Sequence, residues 1–416
     1  MSVDLDLYLA GVHAGMIRHR SDGAAMVPEL TYTRRWLASK GSFSLSLSMP
    51  LQERPHNAKK TRRYLEALLP ENTVTLEDWQ KRYRGMDITD PTSVLAVVGE
   101  DVAGAARFVP AGKRPHGFRS SIALTDEEVG AFLADLRAHR GAMPNTAYAP
   151  RISLAGQQPK LGLYRDVDGW RMPYGDMPST HILKPAPENL TDIDINEAAM
   201  MNAAAAVGIR TSASAVENIG GQRVFVTRRY DRVRDQRGRI VRIHQEDFAQ
   251  ALGYRAQAKY QKEKGPALRN IIPFLREHVV DPEGDVDQFN RLLAFNVAIG
   301  NADAHAKNHS ILITPLGNRL APAYDLLSVA AYPAYSQELA LSVGKQYHGQ
   351  QVQERDWRYY AEKSGQDAER VLAIVAEVWS RTPDAVADSL ARHGASTEMK
   401  NKIMDTVRTV EERLPG

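Results

Sequence analysis

The stretch Asn301-Ala302-Asp303-Ala304-His305-Ala306-Lys307-Asn308 decides the fold. Apolar residues at spacings of three and four predict a helix over 286–299 before it, and residues 311–313 predict a strand after it. Asp303 and Asn308 are separated by four residues, so one loop carries both a carboxylate and an amide. On spacing alone, a polar turn after a core helix is the better interpretation. The hypothesis of a functional loop therefore needs support from the rest of the chain.

The same Asp-x4-Asn spacing occurs in the catalytic loop of protein kinases, where the aspartate accepts the proton of the substrate hydroxyl and the asparagine holds magnesium. A second carboxylate follows in Ala323-Tyr324-Asp325-Leu326-Leu327. Its large apolar neighbours favour the position at which a kinase chelates magnesium through an Asp-Phe-Gly motif. Taken alone, Asp325 is explained about as well as a helix N-cap.

Features upstream supply the other parts of a nucleotide site. The segment 153–162 is a glycine-bearing turn without the Gly-Lys-Ser/Thr of a Walker loop, and its backbone N–H groups are suited to capping phosphates. Thr180-His181-Ile182-Leu183-Lys184 predicts a strand that ends in lysine, and Glu197 lies near the start of the next predicted helix. A kinase pairs such a glutamate with such a lysine. The order of these elements along the chain favours an ATP-dependent phosphotransferase.

The composition is that of an ordinary globular protein, with 416 residues, 43% hydrophobic and 25% charged. The chain has no cysteine, which excludes disulfides, cysteine-ligated zinc and a thiol nucleophile. Its N-terminus does not read as a signal peptide, and no apolar run reaches the roughly 18–20 residues that span a bilayer. We therefore expect a cytoplasmic protein without a membrane partner. A net charge of +3 is not the mark of a dedicated nucleic-acid binder.

The pattern along the chain predicts an α+β protein with a two-lobed, protein-kinase-like fold. We expect a small α/β module over residues 1–110, a strand-rich N-lobe over 111–230 and an all-helical catalytic C-lobe over 231–416. The glycine turn and the strand lysine fall in the N-lobe, and the Asp-x4-Asn loop falls in the C-lobe. The nucleotide would then bind in the cleft between the two lobes.

Local patterns predict the elements of the first half. Alternating apolar residues over 43–49 predict a strand, and an apolar run over 94–98 predicts another. Helical spacing predicts a helix at 64–69, and Thr125-Asp126-Glu127-Glu128 is a capping signature for a helix at 129–136.

In the second half, an Ala- and Met-rich helix is predicted at 196–207, ending at Gly208. A hairpin is predicted around 235–238, between strands at 224–226 and 240–243. Further helices are predicted at 286–299, 370–379, 384–391 and 399–414.

Eight motifs together resemble one known family, the HipA toxin kinases of bacterial toxin–antitoxin systems. They are Leu45-Ser46-Leu47-Ser48-Met49-Pro50-Leu51, Leu68-Leu69-Pro70-Glu71, Arg151-Ile152-Ser153-Leu154-Ala155-Gly156-Gln157-Gln158-Pro159-Lys160, Thr180-His181-Ile182-Leu183-Lys184, Tyr230-Asp231-Arg232, Gln245-Glu246-Asp247, Asp303-x-His305-x-Lys307-Asn308 and Tyr324-Asp325. The resemblance covers nearly the whole chain, and the motifs are specific in combination.

The resemblance implies a serine/threonine protein kinase that uses ATP and Mg²⁺. Asp303 would be the catalytic base, Asn308 and Asp325 the metal ligands, and His305 and Lys307 further residues of the catalytic loop. Nucleotide contacts would come from the phosphate loop, the strand lysine with its glutamate and the hinge. These residues are Leu154, Ala155, Gly156, Gln157, Gln158, Lys160, Lys184, Glu197, Arg228, Arg229 and Tyr230. Many members of the family have glutamate where this chain has Arg228, so nucleotide binding at the hinge would rest on backbone groups.

The family also suggests regulation and partners. Ser153 stands where members phosphorylate themselves, after which the modified loop is expelled and ATP no longer binds productively. A helix-turn-helix antitoxin (HipB-like) neutralises the kinase, and the complex of the two binds operator DNA, so contact with DNA would be indirect. The best-known protein substrate is an aminoacyl-tRNA synthetase. Two alternatives stay open: a DNA-associated corepressor with a decayed kinase site, and a small-molecule or lipid kinase of the same fold.

A basic cluster in the N-terminal module raises the question of direct contact with DNA. It comprises Arg54, Lys59, Lys60, Arg62 and Arg63. Solvated helix surface is the favoured interpretation, and contact with an antitoxin or with DNA phosphates is the alternative.

Overall fold

The computed structural model describes residues 2–22, 25–117, 119–142 and 153–413. Its N-terminal part contains an antiparallel sheet with the strand order β3-β2-β1-β4 and four helices. The strands are β1 (Leu5–Leu9), β2 (Val12–Asp22), β3 (Ala25–Tyr32) and β4 (Ala106–Pro110), and the helices are α1 (Arg34–Leu37), α2 (Ala58–Ala67), α3 (Thr73–Arg82) and α4 (Pro91–Val98).

The predicted strand at 43–49 is wrong, although its apolar residues do contribute to the core. Phe43, Leu45 and Met49 are buried, but Ser44 and Ser46 are buried as well, so the segment does not have one inward face. The segment is held by a side chain rather than by a neighbouring strand. The Tyr32 hydroxyl donates to the carbonyl of Met49 at 2.8 Å and accepts the N–H of Leu45 at 2.7 Å.

The predicted strand at 94–98 is also wrong, because these residues form the last part of helix α4. The Asp90 side chain caps the helix by accepting the N–H of Thr92, and Pro91 occupies the first turn. An aspartate N-cap followed by proline is a strong helix start, and here it outweighs the β propensity of the valines.

The middle of the chain forms a six-stranded antiparallel sheet with the order β5-β7-β6-β8-β10-β9. The elements are β5 (Arg119–Leu124), α5 (Asp126–Ala138), β6 (Leu161–Asp166), β7 (Gly169–Gly175), β8 (His181–Pro185), α6 (Ile193–Ala206), β9 (Ser214–Ile219) and β10 (Gln222–Arg228). The capping signature before α5 is confirmed, since the side chains of Thr125 and Glu128 bond each other's backbone N–H groups. Helix α6 carries Glu197 beside this sheet.

The C-terminal part is dominated by helices but is not all-helical, so that element of the prediction is wrong. Its helices are α7 (Phe248–Ala251), α8 (Leu268–His278), α9 (Pro282–Ala298), α10 (Glu354–Lys363), α11 (Ala368–Arg392) and α12 (Thr397–Glu411). Its strands are β11 (Arg232–Arg234), β12 (Ile240–Arg242), β13 (His244–Asp247), β14 (Ser310–Ile313), β15 (Arg319–Leu320), β16 (Glu338–Val343) and β17 (Gln346–His348). These short strands order the loops that surround the cleft. The α+β class itself is confirmed.

Two local predictions need correction here. The hairpin around 235–238 forms between β11 and β12, whereas residues 224–226 lie in β10 and pair with β8 and β9. The helices predicted at 370–379 and 384–391 are one helix, α11, which continues through Pro383. It continues because both halves bury one face, as Val375 and Leu390 show.

The core consists of two apolar clusters. One joins residues from β1–β4 and α2 to the helices of the C-terminal part, and the other lies between α5 and the six-stranded sheet. The predicted boundaries at 110 and 230 stay a prediction. Over the described ranges, no helix combines the length and the apolar character that crossing a membrane requires.

Candidate active site

A cleft of about 960 Å³ lies between the six-stranded sheet and the C-terminal part. Its lining contains every residue that the sequence predicted for catalysis, nucleotide binding and metal binding. These are Leu154, Ala155, Gly156, Gln157, Gln158, Lys160, Lys184, Glu197, Arg228, Arg229, Tyr230, Asp303, His305, Lys307, Asn308 and Asp325. The fold thus brings together side chains from the phosphate loop, β8, α6, the hinge and two C-terminal loops.

The phosphate loop, residues 153–160, is closed by its own lysine. Lys160 Nζ donates to the carbonyl of Ala155 at 2.6 Å. Gly156 adopts φ +112°, and a Cβ there would lie 2.4 Å from Lys160 Nζ. The backbone conformation therefore favours glycine here, whereas the lysine tip is flexible and could move away from a Cβ. The arrangement leaves a cationic turn at the wall of the cleft.

Lys184 joins three elements at the centre of the cleft. Its Nζ lies 2.7 Å from Glu197 Oε1 and 2.7 Å from Asp325 Oδ1. Strand β8 supplies the lysine, helix α6 the glutamate, and the loop after β15 the aspartate. Asp325 has φ +58°, a strained conformation for a residue with a side chain. This strain supports a functional position for the carboxylate.

Burial and the shared lysine set the charges of the two carboxylates. Burial alone would raise the pKa of Asp325, but Lys184 and Lys160 hold it well below the usual range. Burial raises the pKa of Glu197 to about 7, against the opposing effect of Lys184. Asp325 therefore remains the permanently ionised member of the pair, as a metal ligand must be.

Asp303 lines the same cleft, and its side chain is 45% exposed and open to an incoming group. The Tyr260 hydroxyl donates to its Oδ1 at 2.5 Å, and Asn308 Nδ2 donates to its backbone carbonyl at 2.8 Å. Burial raises the pKa of Asp303, and the hydrogen bond from Tyr260 opposes this rise. A raised pKa makes the carboxylate a better proton acceptor at neutral pH.

His305 and Lys307 support the catalytic loop from within. Burial lowers the pKa of His305 to about 3, so the imidazole is neutral. Its ring packs edge-on against Tyr260 with centroids 5.2 Å apart. Lys307 Nζ does not point to Asp303; it pairs with Glu71 Oε1 at 2.6 Å. His305 Nε2 lies 3.9 Å from Asp303 Oδ1, and the catalytic role predicted for both residues stays a prediction.

The three predicted hinge residues, Arg228, Arg229 and Tyr230, differ in their burial and in what their side chains contact. The Arg229 side chain is buried in an ion pair with Asp231 at 2.9 Å and also bonds the Ser179 hydroxyl at 2.9 Å. The side chain is therefore committed within the protein, and the backbone N–H of Arg229 also donates to the carbonyl of Thr180 at 2.9 Å. Tyr230 stacks on Tyr324 with centroids 5.6 Å apart, while Arg228 is exposed at the end of β10.

Ser153 does not line the cleft and is fully buried. Its hydroxyl donates to the carbonyl of Leu68 at 2.8 Å, and its N–H donates to the carbonyl of Asp101 at 3.1 Å. The neighbouring Arg151 and Ile152 of the quoted motif lie outside the described residues. In this conformation, Ser153 is out of reach of any phosphate donor.

Glu71, Lys259 and Tyr260 also line the cleft, although no pattern in the sequence assigns them to it. Glu71 belongs to the Leu-Leu-Pro-Glu motif, which carries no predicted role. Lys259 and Tyr260 precede the short turn Gln261–Glu263 and belong to no motif. Of these three residues, Tyr260 contacts the predicted base. The proximity of a basic and aromatic segment to the loop at 301–308 is visible only in three dimensions.

The oxygen ligands present fit magnesium rather than a metal held by the protein alone. Asn308 commits its amide nitrogen to Asp303, which leaves its carbonyl oxygen for a cation, and Asp325 offers an ionised carboxylate. Over the described ranges, no group of three or more His, Cys, Asp and Glu side chains is placed to hold a metal. Magnesium commonly takes one or two protein ligands, with phosphate oxygens and water completing its shell.

Two family domains match the chain. The HipA N-terminal domain matches residues 5–109, and the HipA-like C-terminal domain matches residues 152–386. The chain belongs to the HipA family. The HipA-like domain includes the phosphate loop, Lys184, the Asp-x4-Asn loop and Asp325, so the match covers the whole lining predicted from the sequence.

Curated relatives and a solved structure agree with the family. A Sinorhizobium fredii protein named as a candidate kinase, Y4mE, is 33% identical over 363 residues, covering 86% of this chain and 85% of its own. The serine/threonine-protein kinase toxin HipA of Shewanella oneidensis is 27% identical, covering 93% and 89%. The complex of Shewanella oneidensis HipA, HipB and operator DNA contains a chain with TM-score 0.81 and 25% identity, covering 99% of this chain and 96% of that one.

Proposed function

We propose that this HipA-family chain is an ATP- and Mg²⁺-dependent serine/threonine protein kinase. The observation that carries the proposal is that Lys184, Glu197 and Asp325 contact one another and line the same cleft as Asp303. A lysine held by two carboxylates is oriented for phosphate oxygens, and the partly exposed Asp303 carboxylate in the same cleft is available to accept a hydroxyl proton. The site thus contains a group for each charge change in phosphoryl transfer.

In the proposed reaction, the acceptor hydroxyl oxygen forms a bond to the γ-phosphorus while the bond from that phosphorus to the bridging oxygen of ADP breaks. Asp303 accepts the hydroxyl proton. The Tyr260 hydroxyl orients the Asp303 carboxylate by donating to its Oδ1. Lys160 and Lys184 bind phosphate oxygens and offset their charge. Magnesium, when held by Asn308 and Asp325, would neutralise the charge that develops on the transferred group.

The proposed biological role is that of a toxin held in check by a partner in the cytoplasm. Support comes from the Shewanella oneidensis relative, which is named a kinase toxin, and from the solved complex with HipB and operator DNA. The partner would be a helix-turn-helix antitoxin that brings the complex to DNA. The substrate would be a translation-related protein, with an aminoacyl-tRNA synthetase as the first to test.

Self-phosphorylation at Ser153 is the proposed means of control. A phosphate carries nearly two negative charges, and Ser153 is fully buried against Leu68. Ser153 would have to leave this position to reach a phosphate donor, and the phosphorylated side chain would not fit on return, so the phosphate loop would stay displaced. A displaced loop would no longer offer Lys160 and its backbone N–H groups to ATP.

The two alternatives differ in what they require of the cleft. A corepressor with a decayed kinase site is not favoured, because Lys184, Asp303, Asn308 and Asp325 are all present and line one cleft. A small-molecule or lipid kinase would use the same residues, and only the identity of the acceptor separates it from a protein kinase.

The test is intact-mass analysis of phosphatase-treated protein, incubated with Mg-ATP, alongside Asp303→Ala. We expect a gain of one phosphate, mapped to Ser153, in the parent protein and none in Asp303→Ala. A Ser153→Ala variant should lose self-phosphorylation and retain activity on a protein substrate. Absence of phosphate together with absence of ATP binding in the parent would overturn the proposal.

The acceptor is identified by comparing phosphosites in a lysate treated with the parent or with Asp303→Ala. Protein phosphosites on serine or threonine that need Asp303 would support a protein kinase. ATP consumption without any such site, apart from Ser153, would favour the small-molecule alternative.

A further inference from the structure

The turn at residues 68–71, between helices α2 and α3, touches both walls of the cleft although it belongs to the N-terminal part of the chain. Leu68, Leu69, Pro70 and Glu71 form this turn, which we call the bridging turn. Leu68 and Glu71 line the cleft, and none of the four residues was assigned a function above.

On one side, the bridging turn holds the phosphate loop through the backbone. The N–H of Glu71 donates to the carbonyl of Gly156 at 3.1 Å, and Pro70 forms a parallel bridge with Gly156. The carbonyl of Leu68 accepts the Ser153 hydroxyl. The loop that would cradle phosphates is therefore fixed at two points by this turn.

On the other side, the Glu71 carboxylate holds the catalytic loop. Its Oε1 lies 2.6 Å from Lys307 Nζ, and its Oε2 lies 2.8 Å from Lys259 Nζ. Lys307 follows Asp303 within the same loop, and Lys259 immediately precedes Tyr260, whose hydroxyl bonds Asp303. The carbonyl of Lys259 also accepts the N–H of Ala306 at 3.3 Å. One carboxylate thus ties together the two segments that position the base.

The burial of these groups separates this arrangement from a surface ion pair. The side chains of Glu71, Lys307 and Lys259 are 18%, 5% and 15% exposed. Within the described residues, Glu71 is the one acid at ion-pair distance from either lysine. Removing the acid would leave two poorly solvated cations facing each other, and the segments that carry them would shift apart.

From these contacts we infer that Glu71 is a positioning residue, by which the bridging turn sets Asp303 relative to the phosphate loop. The inference rests on the proposed kinase function and adds to it that the N-terminal part completes the active site. Glu71 acts through Lys259, Tyr260 and Lys307 and contacts no reacting atom. The phosphate loop is held by the backbone of the same turn. Changing the Glu71 side chain should therefore disturb the position of Asp303 without disturbing the phosphate loop.

The test uses the full chain with Glu71→Gln, which keeps the shape of the side chain and every backbone hydrogen bond. We expect kcat to fall about tenfold to a hundredfold, because small errors in the position of a catalytic group are costly. The KM for ATP should stay within about twofold, since the phosphate loop keeps its anchors and transition-state positioning is what is lost. Lys259→Gln should likewise lower kcat and leave the KM for ATP unchanged. The kcat of the double variant should be little lower than that of either single variant.

Two controls separate positioning from a general loss of stability. Glu66→Gln removes a carboxylate from helix α2, which precedes the bridging turn, and should leave kcat unchanged. Glu66 pairs with Arg62 at 2.7 Å and does not line the cleft. Val407→Ala removes buried volume in α12 and should lower stability while preserving kcat. A Glu71→Gln protein with unchanged kcat, or with a loss confined to the KM for ATP, would overturn the inference.

Hydrogen exchange supplies a readout that does not depend on activity. Peptides over residues 255–264 and 301–308 should exchange about tenfold faster in Glu71→Gln than in the parent, and at the parent rate in Glu66→Gln. If the parent transfers no phosphate, the proposed function fails. The hydrogen-exchange measurement then still decides whether Glu71 orders the segments 255–264 and 301–308. Unchanged exchange in both peptides would contradict the positioning role even in an active protein.

Discussion

The charges in the cleft are set by position rather than by residue type. Two carboxylates share Lys184, yet the pKa of Glu197 is raised to about 7 by burial while that of Asp325 is held low by Lys184 and Lys160. Lys184 therefore pairs with Asp325, which stays ionised, and with Glu197, which is about half ionised at pH 7. Departure of Asp325 towards a metal ion would leave Lys184 with Glu197, whose ionisation would then become easier.

Glu71 provides a pH prediction with a definite sign. Burial alone would raise the pKa of Glu71, but Lys307 and Lys259 lower it to about 2 from an ordinary 4.5. A lowered pKa in the folded state stabilises the protein above pH 4.5, and this contribution is lost as the pH falls towards 2. We expect Glu71→Gln to reduce the free energy of unfolding by about 2 kcal/mol at pH 7.

Urea unfolding at pH 7, 4 and 3 measures this contribution. The difference between the parent and Glu71→Gln should be greatest at pH 7 and smaller at each lower pH. A difference that is the same at all three values would show that lost packing, rather than lost charge, explains the effect.

Between elements, a buried ion cluster joins the N-terminal sheet region to strands β10–β12. Asp101, just before β4, lies 2.7 Å from Arg232 and 3.6 Å from Arg229, and its second oxygen accepts the N–H of Ser179 at 2.8 Å. Burial alone would raise the pKa of Asp101, but these arginines and Arg242 lower it to about 2. The cluster fixes the hinge at 228–230 against the N-terminal part.

Asp101→Asn should therefore be strongly destabilising, because it leaves buried guanidinium groups without their counter-charge. We expect a loss of about 3–5 kcal/mol in the free energy of unfolding, measured by urea denaturation at pH 7. The matched control is Glu398→Gln in α12, which removes an exposed carboxylate paired with Lys402 and should have no measurable effect. Equal stability of Asp101→Asn and the parent would show that the arginines find other partners.

How far the sequence predicts the site depends on the sequence separation of its contacts. Lys184, Glu197 and Asp303 could be predicted because each stands on a local pattern, namely a strand end, a helix start and a fixed spacing. The bonds of Glu71 to Lys259 and Lys307 span 188 and 236 residues, and no local pattern indicates them.

The same limit explains the errors in the fold. Apolar alternation at 43–49 predicts a strand, but the intervening Ser44 and Ser46 are buried too, and the Tyr32 hydroxyl rather than a strand holds the segment. The resemblance implies that the hinge residue Arg229 meets a nucleotide, and this stays a prediction. The sequence does not show that the Arg229 guanidinium pairs with Asp231 beside the distant Asp101, because that contact depends on segments far apart in the chain.

For the molecule as a whole, the distribution of charge bears on contact with DNA. The basic cluster around α2 is partly used within the protein: Arg62 pairs with Glu66, Arg63 donates to the carbonyl of Gly253, and Lys60 donates to that of Ser48. Arg54 and Lys59 are exposed, but the net charge of the chain is only +3, which is not that of a dedicated nucleic-acid binder. In the proposed complex, the antitoxin would supply recognition of the operator.

We expect the purified chain alone to bind a 30-base-pair duplex with Kd weaker than about 1 μM at physiological salt, and the affinity to fall steeply as salt is raised. Fluorescence anisotropy at 50 and 200 mM salt measures both quantities. Nanomolar binding that distinguishes one sequence from another would contradict this prediction and assign the operator to this chain.

The closeness of Lys160 to Lys184 has a consequence for proton balance. Burial, and then the charge of Lys184, lower the pKa of Lys160 to about 8, so a substantial share of the free protein lacks this proton at pH 8. Triphosphate oxygens beside the ammonium would restore its basicity, and binding would then draw a proton from the buffer. Calorimetry in buffers of different ionisation enthalpy would report that uptake, and the affinity for ATP should weaken as the solution becomes alkaline.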